Sequence, residues 1–363
     1  MFPGLAVAEE LRRLAPLTRI TFAGSGTAFE RRHVERSAFE YLTLACRPLS
    51  RSLLSRSPWQ AIPFVFANLR GYRQAVRFLH AHPASAVVGL GGYASAPMAW
   101  AAAGEHVPLV LLEQNAVAGL ATRWLAPSAT LVCTALDQSR VEIERYLTPR
   151  RGTLYVTGTP IRTGFDQRHK PMRRRLLLVL GGSRGARSLN EHVPFALART
   201  VLSLADWHVL HQAGDVDLAA IRDAYRGLGI RATVTQFIPD MPRVVAQADL
   251  AVCRSGGSTL AELAVAGVPA VLLPYPHAAA GHQTKNAAAF AAAGACELVE
   301  STKRNDDAFE TTLANAVSGL LTDHFRRAGM SAAMRRLGRP DAARHIAELV
   351  LGLLENRYRR RAA

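Results

Sequence analysis

The chain has 363 residues, of which 49% are hydrophobic and 20% charged, and it carries a formal net charge of +16. That length exceeds what one core usually serves, so two domains are expected, and the composition excludes a disordered chain. The four cysteines, Cys46, Cys133, Cys253 and Cys296, form no C-x-x-C pair, which argues against a disulfide framework or a structural zinc and for a reducing cytoplasm.

The opening MFPGLAVAEELRRLAP reads as an amphipathic helix rather than a secretory signal, and no apolar run reaches bilayer length. Strand-like runs then alternate with helical patterns: Arg19–Ala23, Ala86–Gly89, Pro108–Leu112, Thr130–Cys133 and Leu154–Val156. A basic linker, Arg168–Arg175, precedes a second series at Leu176–Leu180, Trp207–His211, Ala232–Thr235, Leu250–Cys253 and Ala270–Leu273. Short apolar strands separated by helices imply parallel sheets covered on both faces. The expected fold class is α/β with two doubly wound, Rossmann-like domains facing across a cleft. The expected boundaries are 1–163, 164–339 and a helix within 340–363, started by Pro340 and Asp341, that packs back on the first domain. The string Arg357–Arg361 reads as a solvated end. A doubly wound domain normally starts with strand, glycine loop and helix, whereas here a helix comes first.

Ligands in such sheets sit at the carboxyl ends of strands, and the glycine turns lie there. Asp249–Glu262, DLAVCRSGGSTLAE, runs from a buried strand through a double-glycine turn into a helix. Unpaired amides at a helix start attract a phosphate, and Glu262 one turn on can accept hydrogen bonds from a ribose diol. Thr259-x-x-Glu262 is also a capping box, which would stabilise a helix without binding anything. Gly89–Ser95 offers three glycines and the hydroxyls of Tyr93 and Ser95, or is a plain strand-to-helix turn. Glu113-Gln114-Asn115 ends a strand with three groups able to read sugar hydroxyls. Arg162 follows a glycine-proline turn and suits a diphosphate. Gly181-Gly182-Ser183 is neither a dinucleotide fingerprint nor a P-loop, and reads as a phosphate-approach turn or a helix cap. Ile238, before Pro239, can offer backbone groups to a flat base. His277 and His282 have no carboxylate near them in sequence, so sugar recognition by Gln283 is preferred over a metal.

The positive excess has four possible counterparts: nucleic acid, an anionic membrane face, a phosphorylated substrate, or an Arg-rich genomic bias. Leu53–Leu69 mixes Trp59, Phe64 and Phe66 with Arg51, Arg56, Arg70 and Arg73 nearby, as suits a shallow patch on anionic lipid or an ordinary buried helix face. The arginines are dispersed and no nucleic-acid-binding signature is present.

Taken in order, FPGLAVA, GLGGYASAP, EQNAVAG, GTPIR, GGSRGA, FIPDM, RSGGSTLAE and PYPHAAAGHQTKNA resemble the MurG family over nearly the whole chain. That family is the UDP-N-acetylglucosamine:undecaprenyl-diphospho-muramoyl-pentapeptide N-acetylglucosaminyltransferases, inverting enzymes of GT-B fold. The resemblance implies transfer of GlcNAc to the muramoyl 4-hydroxyl of lipid I, giving lipid II for peptidoglycan at the cytoplasmic face of the inner membrane, in the service of cell shape and division. It implies contacts to UDP-GlcNAc from Asn115, Arg162, Ser183, Ile238 (uracil), Gly257, Ser258, Thr259, Leu260, Ala261, Glu262 (ribose) and Gln283. Neither a cofactor nor a catalytic metal is expected. The family's glycine loop, ending His-Val-Phe-Pro-Gly, would precede Phe2 and carry the usual general-base histidine. Met1 stands at the valine position, so the natural protein is expected to be longer. A histidine that relatives commonly carry before Glu113 is replaced by Leu112, which leaves Glu113 and Tyr93 as the candidate bases. A UDP-GlcNAc epimerase of the same fold and a donor-binding protein without catalysis are the alternatives.

Overall fold

The structure is a computed structural model. It describes residues 1–48, 62–148, 152–167, 174–182, 186–200, 204–300 and 306–362, with residue 205 and those from 356 onward as backbone only. The chain divides into two compact units, Met1–Pro160 with Asp341–Ala363, and Ile161–Pro340.

In the first unit, α1 (Phe2–Leu14), β1 (Thr21–Gly24), α2 (Ala28–Arg36) and β2 (Glu40–Thr43) are followed by the long helix α3 (Ile62–Ala81). Then β3 (Val87–Gly89), α4 (Ala96–Gly104), β4 (Leu109–Glu113), α5 (Leu120–Leu125), β5 (Leu131–Thr134), α6 (Asp137–Glu144) and β6 (Thr153–Val156) alternate. All pairings are parallel, in two groups, β1-β2 and β3-β4-β5-β6. β4 and β5 are buried along their whole length, as a strand covered on both faces must be, which explains their unbroken apolar runs LVLL and LVC. The C-terminal helix α14 (Ala342–Ala362) buries Ile346, Ala347 and Val350 against Val7 and Leu11 of α1 and against β4 and β5.

The second unit holds β7 (Arg175–Leu180), α7 (Arg187–Ala198), β8 (Trp207–Gln212), α8 (Leu218–Gly227), β9 (Ala232–Thr235) and α9 (Met241–Gln247). It continues with β10 (Leu250–Cys253), α10 (Gly257–Ala266), β11 (Ala270–Leu272), α11 (His282–Ala292), β12 (Cys296–Leu298), α12 (Asp306–Thr322) and α13 (His324–Leu337). The six strands are parallel in the order β12-β11-β10-β7-β8-β9. Leu177, Leu178 and Val179 on the central β7 are fully buried, each side chain stabilising the fold by about 1.5–3 kcal/mol. The strand order reverses between β10 and β7, so the crevice of this sheet opens at their carboxyl ends.

Every strand named from sequence exists, within two residues at each end. β2 and β12 were not foreseen, being three- or four-residue edge strands that each contain a glutamate. Arg175 is a strand residue, not linker, its guanidinium lying 5.7 Å from the ring centre of Trp207. Residues 168–173 of that linker lie outside the described residues.

Candidate functional site

The switch point of the second unit is where the sequence placed its densest cluster of site residues. β10 delivers the chain to Arg254 and Ser255, and α10 begins at Gly257 with Gly256 as its N-cap, without a side-chain cap. Thr259 is therefore already inside the helix, and the capping-box reading of Thr259-x-x-Glu262 fails because the helix starts three residues earlier. The first amides of a helix have no partner in it, so Gly257, Ser258 and Thr259, all half-buried, present donors at the crevice. A Cβ built on Gly256 would meet nothing within 4 Å, so the approach to those amides is open. Leu260 is different: its N–H bonds Gly256 O at 3.0 Å and its side chain is core, so its place in the run is structural. Ala261 is half-buried beside it.

Glu262 lies one turn further along α10. Its carboxylate is 3.8 Å from the Arg162 guanidinium, and burial pushes its pKa up to about 7 although Arg162 pulls the other way. Arg162 is itself oriented with its guanidinium 5.9 Å from the ring centre of Phe165. An ion pair this long is held by position rather than by a direct hydrogen bond.

Gln283, in the first turn of α11, accepts from Tyr275 N at 2.9 Å through its side-chain oxygen, which leaves its NH2 as a donor. Its backbone carbonyl takes the Ser255 hydroxyl at 2.8 Å, and Asn286 Nδ2 donates to Ser255 O at 3.0 Å, so α11 is fastened to the turn before α10. Arg254 completes the brace, donating to Leu273 O (2.8 Å), Pro274 O (3.0 Å) and Ser188 Oγ (2.6 Å), with burial lowering its pKa. Sequence reasoning passed over Arg254, Ser255 and Asn286. The available signal was a charged residue directly after a buried strand, at the ligand end of the sheet.

Ile238 is buried on the loop between β9 and α9, whose N-cap Asp240 accepts from Arg243 N at 3.3 Å. Gly182 ends β7's turn at φ +77, a conformation natural to glycine, and a Cβ there would meet nothing within 4 Å. Ser183 lies outside the described residues. His282 Nδ1 bonds Ala279 O at 2.7 Å and His277 packs edge-on to Tyr275. Among the described residues no group of three or more His, Cys, Asp or Glu is placed to hold a metal ion.

Tyr93, Glu113 and Asn115 belong to the first unit. Glu113 is 5% exposed and both its oxygens are occupied. One accepts from Asn115 N and Asn115 Nδ2, each at 3.1 Å; the other accepts from Gly119 N at 2.9 Å and Thr122 Oγ1 at 2.7 Å. Four donors fill the acceptor sites of a carboxylate, so Glu113 is poorly placed to take a proton and well placed to shape residues 114–119. Leu112, one residue earlier, is a core side chain of β4. Tyr93 sits partly exposed on the turn after β3, near Ser95, whose hydroxyl donates to Gly91 O at 2.9 Å.

Of the segment 53–69, residues 62–69 are described and form the start of α3; Trp59 lies outside the described residues. Asn68, Gly71, Ala75 and Leu79 form the buried side of α3. Ile62, Val65, Phe66 and Leu69 are exposed, Phe66 at 73%, so a buried face is not what these four supply. Phe64 is half-buried.

Two Rossmann-like units of parallel strands, the second with open helix-start amides, a largely buried carboxylate and an arginine at its switch point, have the fold of GT-B proteins, glycosyltransferases among them. Residues 1–134 match the glycosyltransferase family 28 N-terminal domain and residues 176–346 its C-terminal domain. The UDP-N-acetylglucosamine--N-acetylmuramyl-(pentapeptide) pyrophosphoryl-undecaprenol N-acetylglucosamine transferase of Alkalilimnicola ehrlichii is 39% identical over 361 residues, covering 97% of this chain and 95% of its own. The crystal structure of Acinetobacter baumannii MurG superposes with a TM-score of 0.71 at 27% identity, covering 97% of this chain and 95% of that one. A crystal structure of UDP-N-acetylglucosamine 2-epimerase reaches 0.68 at 15% identity, covering 96% and 92%, a likeness of fold alone. The chain belongs to the MurG family of N-acetylglucosaminyltransferases.

Proposed function

We propose that this chain transfers GlcNAc from UDP-GlcNAc to the muramoyl 4-hydroxyl of lipid I, forming lipid II for peptidoglycan. The observation that carries the donor half is Glu262, its side chain 13% exposed beside Arg162 one turn below an uncapped helix start at the switch point. In this reading the backbone at Ile238 holds uracil and ionised Glu262 accepts from the ribose diol. The amides of Gly257, Ser258 and Thr259, with Arg162 and Ser183, take the diphosphate, and the Gln283 NH2 reads a sugar hydroxyl.

The acceptor oxygen attacks the anomeric carbon while the bond from that carbon to the β-phosphate oxygen breaks, so the sugar inverts and UDP leaves. Charge builds on the departing diphosphate, where preorganised amides and a guanidinium stabilise it most. The acceptor's proton needs a base. Glu113 serves here by holding Asn115 in place for UDP-GlcNAc, and Tyr93 is the candidate base that remains.

The lipid acceptor demands a membrane surface. Among the described residues no helix is long and apolar enough to cross a bilayer. Ile62, Val65, Phe66 and Leu69 follow helical i, i+3, i+4, i+7 spacing and are exposed, and Arg70, Arg73 and Arg77 continue the exposed surface of α3. That pattern suits peripheral docking on anionic lipid, here at the cytoplasmic face. The epimerase reading shares only fold. Incubating the protein with UDP-GlcNAc with and without lipid I separates the two. The proposal expects UDP and a GlcNAc-bearing lipid only when lipid I is present; an epimerised nucleotide sugar formed without it would overturn the proposal.

A further inference from the structure

The loop 114–119 is held from outside by a pair of charged side chains that the donor site leaves unused. Ala118 is 1% exposed, so both polar groups of its backbone need partners within the protein. One ion pair supplies both. Glu142 Oε2, on α6, accepts from Ala118 N at 2.8 Å, and Arg123 Nε, on α5, donates to Ala118 O at 3.0 Å. The two side chains close on each other at 2.7 Å, Arg123 Nη2 to Glu142 Oε1.

Packing brings the two helices to this point. Ile143, next to Glu142, is buried in one core cluster with Ala118 and Leu125, which seats α6 against the loop. The Arg123 guanidinium lies 6.0 Å from the ring centre of Tyr146. An exposed ion pair contributes little by itself, as with Arg140 and Glu144, whose side chains are 55% and 49% exposed and pair within α6. Arg123 and Glu142 are 28% and 24% exposed, join two helices and grip one peptide residue between them. Partial shielding from water strengthens such bonds.

What the pair holds leads to Asn115. Gly119 N, the next amide, bonds Glu113 Oε2 at 2.9 Å, and Thr122, one residue before Arg123, gives its hydroxyl to the same oxygen at 2.7 Å. The other oxygen of Glu113 takes Asn115 N and Asn115 Nδ2, each at 3.1 Å. Gln114 Nε2 donates to Leu90 O at 2.9 Å, tying the loop to the turn that carries Tyr93. A shift at Ala118 therefore displaces the donors around Glu113, and with them the side-chain amide of Asn115.

We infer that Arg123 and Glu142 are positioning residues for the donor's sugar: acting as one pair through Ala118, they fix the amide of Asn115, an inference resting on the reading of Asn115 as a contact to UDP-GlcNAc. The ligand affected is the sugar nucleotide and not the bare nucleotide, for which the second unit holds the uracil, ribose and diphosphate groups.

Calorimetry on the whole protein with UDP-GlcNAc and with UDP tests this. Glu142→Ala and Arg123→Ala should each weaken UDP-GlcNAc binding about two- to tenfold, the range of one hydrogen bond, and leave UDP affinity unchanged. Lost folding would instead lower the number of binding sites and leave both affinities as they were. The double variant should lose less than the product of the single effects, because the two groups act as a unit. Arg123→Lys keeps the charge but not the fork that reaches Ala118 O. It should give an intermediate loss, and it carries the test if an alanine variant does not fold. Arg140→Ala is the control and should match the wild type. Equal weakening of both ligands, multiplicative single effects, or variants that bind UDP-GlcNAc as the wild type does would overturn the inference alone. A wild type that does not bind UDP-GlcNAc would overturn the donor reading as well.

Discussion

The state of Glu262 makes donor binding a pH experiment. Only an ionised carboxylate accepts from both hydroxyls of a ribose diol, yet burial holds this group near a pKa of about 7. With that value roughly one Glu262 in eleven is ionised at pH 6 and roughly ten in eleven at pH 8, so UDP-GlcNAc affinity should rise about tenfold, or about 1.4 kcal/mol. The neighbouring charge is Arg162, which stays protonated throughout this range. Calorimetry at pH 6, 7 and 8, in buffers of differing ionisation enthalpy, reads both the affinity and the proton released on binding. Glu262→Gln should abolish the slope and the proton release. Arg162→Ala should weaken binding and move the midpoint upward, because the group that lowers the Glu262 pKa is gone. The free protein should show the reverse trend. The folded pKa lies above the reference value of 4.5, so this group's stabilising contribution is complete below about pH 4.5 and is lost as pH rises through about 7. A wild-type affinity flat between pH 6 and 8, or a slope surviving in Glu262→Gln, would refute the reasoning.

Glu113→Ala strands donors from Asn115, Gly119 and Thr122 and should destabilise the protein by about 3 kcal/mol in urea unfolding, at about 1–3 kcal/mol per buried orphan; Glu113→Gln should cost less. Gly71→Ala would place a Cβ 1.9 Å from Ala45 O, so a change that favours an ordinary helix by about 1 kcal/mol should here lower the melting temperature instead. Val65→Ser with Phe66→Ser, on the exposed face of α3, should reduce sedimentation with anionic vesicles while leaving thermal unfolding within about 0.5 kcal/mol. His211 is buried between Tyr225 and Asn190, and burial lowers its pKa to about 4. Its contribution is therefore present above the usual value of 6.5 and is lost as pH falls toward about 4, a loss that urea melts of His211→Gln should not show.

The sequence disclosed the strands that matter most because they are buried on both faces. LLLVL at β7 and LVLL at β4 have no polar interruption, and the glycine turns follow them directly. β2 and β12 escaped because three or four edge residues carry no periodic signal. The helix start at Gly257 was legible from the double glycine, but not which residue caps it: Thr259-x-x-Glu262 satisfies the capping-box spacing, and only the backbone shows the N-cap at Gly256. Glu113 was legible as a carboxylate at a strand end, not as one occupied by four donors. Three of those come from residues six or fewer positions away whose turn no pattern predicts.

Amide exchange measured with and without UDP-GlcNAc tests the donor site most directly. The account predicts slowed exchange at Gly257, Ser258 and Thr259 and at the first turn of α11, and loss of that protection in Glu262→Gln at pH 8. Protection elsewhere with these amides unchanged, or no uptake of the nucleotide at all, would contradict it.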